Sequence, residues 1–136
     1  MTQDSSAPQA HLKHAQALVS KTAAELRETL VMMAASLIPF PYFLGSTEIQ
    51  AIEAEPGGAA RADRGCIVVC ADGDMYEFTM KMQAPDATGD FGLDREDSVK
   101  PIELPPEEYI IYAYNGVKEI AGILEEQQAR GRKYSF

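Results

Sequence analysis

The chain has 136 residues, 46% apolar, 24% charged and 8% aromatic, with no Trp. That length and balance suit one α+β domain over 1–136 that buries roughly two thirds of its unfolded surface, and they exclude disordered, collagen-like and disulfide-scaffold classes. Twelve Lys and Arg against twenty-one Asp and Glu leave a net charge of −9, which repels phosphate backbones and anionic lipid, so no nucleic acid and no membrane surface is expected as a partner.

At the start of the chain no basic stretch leads into an apolar one, so no secretory signal is expected. Residues 1–8 are expected to be flexible. Over 8–38 the apolar residues Leu12, Ala15, Val19, Ala23, Leu26, Leu30, Met33, Ala34 and Leu37 recur on one arc of a helix, with Pro8 in its first turn and Pro39 at its end. Toward that end the opposite face turns apolar too, through Val31, Met32, Ala35 and Ile38. A helix end that is apolar all round is expected to be deeply buried or capped by a partner.

Such a helix reaches about 44 Å, while a compact domain of this size is about 37 Å across. The helix should overhang its own domain and still display an apolar stripe. A homodimer built on this helix, with Leu26 and Leu30 at its interface, is the expected remedy. The apolar segment 30–45 is too short to span a membrane and is broken by Pro39 and Pro41.

Residues 48–55 fit either an edge strand or a short helix, since Thr47 and Gln50 match a capping box; Pro56-Gly57-Gly58 favours the strand. Residues 66–71 are apolar on both faces, as in a central strand. Cys66 and Cys70 would lie about 13 Å apart along it, too far for a disulfide, so two buried thiols in a reducing, cytoplasmic setting are expected. Asp72-Gly73 is a two-residue hairpin signal. Beyond it Tyr76, Phe78, Met80 and Met82 alternate with Glu77, Thr79 and Lys81, placing the first set toward the core and giving the sheet a polar outer face.

An acidic loop is expected over 83–98, followed by a short edge strand over 99–104. Pro105-Pro106-Glu107-Glu108 is a helix start, with acids opposing the positive dipole end. The helix should run over 106–130 with a weak point at Gly116 and a stop at Gly131, although 109–114 alone would read as a strand. The tail 131–136 is expected to fray. The fold class is therefore α+β in two layers: a long N-terminal helix, an antiparallel meander of three to four strands, and a C-terminal helix.

Candidate sites are sparse. Asp86, Asp90, Asp94 and Asp97 imitate the spacing of a calcium loop, but Phe91 stands where glycine is needed and the terminal Glu is missing. His11 and His14 share one side of a helix without a third metal ligand. No phosphate-cradling loop and no nucleophile elbow is present, so neither a metal nor a nucleotide cofactor is expected. Phe40, Tyr42 and Phe43 lie on a proline-stiffened loop. They are either anchors for a protein partner, in which case the protomer leaves them exposed, or caps on its own core.

The expected function is a non-enzymatic, acidic interaction module of adaptor, chaperone-like or immunity type that binds another protein. The alternative is a small-molecule-binding domain, or a small enzyme with a carboxylate-based site scattered along the chain.

Overall fold

In the computed structural model, residues 6–57, 64–82 and 95–134 are described. Two long helices enclose a meander: α1 (Ser6–Ser36), β1 (Ala51–Glu53), β2 (Cys66–Cys70), β3 (Met75–Met82), β4 (Arg95–Pro101) and α2 (Pro106–Tyr134). The four strands lie in sequence order, each antiparallel to the next. The helices pack against this sheet, so the fold is α+β.

β2 is the central element. Ile67 and Val69 face the helices, and Val68 faces the opposite way; all three are fully buried. Ile67, Val69, Ile52 and Met75 join Leu30, Ala34, Leu37, Tyr109, Ala113 and Ile120 in the main core. Each of these large apolar side chains contributes about 2 kcal/mol by leaving water. Leu26 and Met33 pack against the same cluster, half-buried.

The other face of the sheet was expected to be polar, and it is not. Pairing of Cys66 with Phe78, Val68 with Tyr76, and Phe78 with Val99 places all these residues on the side away from the helices. There Ala51, Val68, Phe78 and Phe43 form a second core. The alternation in β3 was read correctly but given to the wrong side. Phe78 and Tyr76 face a cover made by the 40–50 segment, with the Phe43 ring edge-on to Phe78 at 4.8 Å and 77°. Met80 lies beyond that cover and is exposed. Glu77, whose carboxylate lies 3.6 Å from Lys100, and Thr79, bonded to Ser98 at 2.7 Å, occupy the helix-side face where no helix reaches.

The 40–50 cover is held by backbone and side-chain bonds. Tyr42 bridges Gln50, and the Ser46 hydroxyl accepts the amides of Glu48 and Ile49. That turn replaces the helix that Thr47 and Gln50 suggested, and β1 is the edge strand. The β2–β3 connection is longer than two residues: Gly73 donates to Cys70, and Cys70 donates to Asp74. Ala71, Asp72 and Gly73 thus form a three-residue loop, with Gly73 in the left-handed region.

Two further boundaries differ from the sequence reading. β4 begins at Arg95, inside the stretch expected to be loop. α2 continues through Gly131 to Tyr134, because one glycine costs a helix only about 1 kcal/mol. Gly116 is no weak point either. A β carbon there would stand 3.1 Å from Val69 Cγ2 and 3.4 Å from Leu30 Cδ2, so its missing side chain is what seats α2 against both β2 and α1. Residues 6–8, expected to be flexible, belong to α1; residues 1–5, 58–63, 83–94 and 135–136 lie outside the described residues, as do the parts of the flexible-end and acidic-loop expectations that fall on them.

Candidate interaction surface

α1 and α2 run in the same direction. Val19 and Pro106 line one groove, Leu30 meets Gly116, and the Ile38 amide donates to the Gln127 side chain at 3.2 Å. Because Pro106 begins α2 and sits beside Val19, the part of α1 before Val19 has no helix alongside. Every residue over 6–18 is exposed, a projection of about 20 Å at 1.5 Å per residue.

The apolar stripe does not stop where the cover stops. Leu30 and Ala23 are buried, Leu26 and Val19 are half-buried, and Leu12 is 50% exposed. Leu12, Ala15, Gln16, Val19, Ser20, Pro106 and Glu107 line an open groove of about 500 Å³ between the first half of α1 and the start of α2. His11 and His14 are exposed on this projecting segment, as is Lys13.

The far end of α1 is not buried as its all-round apolarity suggested. The hairpin loop at Gly73 covers the Val31 backbone, but Met32 is 71% exposed and Ile38 80% exposed. The chain turns away at a cis Ile38-Pro39 bond, and Gln127 of α2 brackets it by also donating to the Pro39 carbonyl at 3.0 Å. Gln127 carried no signal in the sequence, because its partners lie about ninety positions away.

The proposed interface residues separate by burial. Leu30, Phe40 and Phe43 are enclosed within the protomer. Phe40 belongs to the main core and Phe43 to the second, so both cap the protein's own interior rather than wait for a partner. Tyr42 points the other way and is 54% exposed, next to an exposed Leu44. Of the calcium-like set, Asp97 is half-buried and accepts Arg95 Nε at 2.8 Å; Asp86, Asp90 and Asp94 lie outside the described residues. Among the described residues no group of three His, Cys, Asp or Glu is placed to hold a metal ion.

A second concavity, of about 220 Å³, lies between the hairpin loop and the start of α2. Its wall combines Met75, Ile102, Leu104 and the buried Tyr109 with Arg27, Asp74 and Glu103. The Arg27 guanidinium lies over the Tyr109 ring at 5.0 Å. Burial pushes the Tyr109 phenol up, and the guanidinium opposes that shift. Burial pushes both thiols up as well: Cys66, also near Glu55 and Glu53, and Cys70, near Asp72, each reach about 12. Such thiols are poor nucleophiles at neutral pH, since the thiolate is the reactive form.

No helix among the described residues is long and apolar enough to cross a membrane. Compared with protein-family models, curated proteins and solved structures, the chain matches none.

Proposed function

We propose that this chain is a non-enzymatic protein-interaction module whose docking element is the projecting N-terminal half of α1, and that it works as a homodimer. The observation that carries this reading is the stripe Leu12, Ala15 and Val19, which continues the core pattern of α1 past the point where α2 begins. A bare helix segment of this length is marginal in water, so its apolar face calls for tertiary cover. The two thiols, both pushed up and both free, suit a reducing compartment such as the cytoplasm. The net charge of −9 favours a protein surface over nucleic acid or lipid.

The test is capture of bound polypeptide by wild type and by a Leu12→Glu, Val19→Glu variant with unchanged thermal stability. Self-association or a stoichiometric partner that is lost in the variant is expected. Wild-type protein that holds no polypeptide at all, itself included, would sink the reading.

A small-molecule site is the second reading, favoured by the cavity at Arg27 and Tyr109. One cation and two carboxylates, Asp74 and Glu103, around an aromatic wall suit a compact zwitterion. Thermal-shift screening with free amino acids decides it: an upward shift that Arg27→Ala abolishes supports this second reading, and no shift with any of them ends it.

A further inference from the structure

Resting on the interaction-module reading, we infer that the occupant of the groove at Leu12, Ala15 and Val19 is a second copy of this chain, seated on a two-fold axis near Ala15. The two α1 helices then lie antiparallel, and Lys13 of each copy faces the partner's Glu107.

The charges of this surface are arranged for self-recognition. From Ser6 to Ala24 the charged and titratable residues are His11, Lys13, His14 and Lys21, with no acid among them. The first turn of α1 carries no acid either. By contrast α2 opens with Glu107 and Glu108 in its first turn, and Glu103 stands just before it. A chain of net charge −9 repels its own copies over most of its surface. Here Lys13 stands at the edge of a groove whose lining includes Glu107, and a two-fold rotation brings each onto the other.

The register follows from positions along α1. Glu107 lines the groove beside Gln16, Val19 and Ser20. In an antiparallel pair crossing near Ala15, Lys13 of one copy comes opposite residues 17–18 of the other, one turn or less from that groove. At 100° per residue Lys13 lies on the flank of the stripe rather than within it. The long Lys stem can therefore run past the apolar contact and reach the carboxylate at its rim. Crossing at Ala15, the two projections overlap over residues 12–18, about 10 Å, covering Leu12 and Val19 on both.

Sedimentation velocity of the full chain from 1 to 200 µM tests the arrangement. The expected mass is twice the 14.9 kDa of one chain. Lys13→Glu and Glu107→Lys should each weaken the dimer about tenfold at low salt, with the loss shrinking at 0.5 M salt. An equimolar mixture of these two variants should form heterodimers in preference to either homodimer, because both cross-pairs are then of opposite charge. Native mass spectrometry reads that preference, and unchanged thermal unfolding of each variant shows that the fold is intact. A wild-type monomer at every concentration overturns the inference, and so does a dimer that neither variant weakens and whose mixtures are statistical. If the wild type is monomeric yet holds a different polypeptide through Leu12 and Val19, the projecting half of α1 stands as a docking element, while the homodimer and with it the second copy fall.

Discussion

Gly73 and Val31 approach so closely that no side chain fits between them: a β carbon on Gly73 would lie 2.5 Å from the Val31 α carbon and 2.9 Å from its amide nitrogen. This contact docks the β2–β3 loop on α1. Gly73 also holds φ at +83°, where an L residue is strained. Gly73→Ala should therefore lower the unfolding free energy by about 3 kcal/mol, the sum of backbone strain and the forced separation. Gly73→Asn separates the two causes in urea titrations. Asn tolerates the left-handed region but still carries a β carbon, so it should recover little of the loss.

Phe43 and Tyr42 are neighbours with opposite roles. Phe43→Ala removes a buried ring packed edge-on against Phe78 and should cost about 3 kcal/mol. Tyr42→Ser acts on an exposed ring and should change stability by less than about 0.5 kcal/mol. Thermal and urea unfolding of the two variants measure the contrast; equal effects would show that the 40–50 segment does not cover the second core.

Cys66 and Cys70 should make stability fall in alkali. Both thiols are pushed from the usual 9.0 up to about 12 in the folded chain. A group raised on folding contributes stability that is fully present below its unfolded value and is lost as pH rises through the folded one. The decline from this source therefore runs between pH 9 and pH 12. Tyr109, also raised by burial, acts in the same direction. Urea midpoints across that range should fall less steeply in a Cys66→Ala, Cys70→Ala variant. At pH 8 a thiol reagent should label the folded wild type far more slowly than the unfolded chain.

Gln127 closes the turn between α1 and the 40–50 segment by accepting from Ile38 and donating to Pro39. Gln127→Ala should cost about 1 kcal/mol, the usual net value of such bonds at a half-exposed site. Hydrogen exchange at the Ile38 amide should quicken, whereas exchange in β2 should hardly change.

The calcium-like spacing shows where sequence reading stops. Four aspartates at plausible intervals say nothing about whether their oxygens converge. Asp97, the member among the described residues, is taken up by Arg95 two positions away on the same strand face. The aromatic loop teaches the same lesson in reverse. Phe40, Tyr42 and Phe43 look alike in sequence, and only the surrounding strands and helices decide that two are interior and one is exposed.

The sequence by itself determined the order of the elements and the identity of α1, β2 and β3, because hydrophobic periodicity and turn chemistry are local properties, while 48–55 and 109–114 remained open between strand and helix. The 3.6-residue stripe of α1, the alternation of β3 and the Pro-Glu-Glu start of α2 are each written within a few turns of chain. It also determined that α1 would outrun its domain, since length and rise per residue are enough for that. Only the tertiary structure decided which face of the sheet meets the helices, because alternation marks two faces without naming the one that is covered. The parallel run of α1 and α2, the seat that Gly116 gives to Leu30 and Val69, and the close approach of Gly73 to Val31 were likewise settled by packing. Each depends on residues more than forty positions apart, and contacts at that separation leave no periodic trace in the chain.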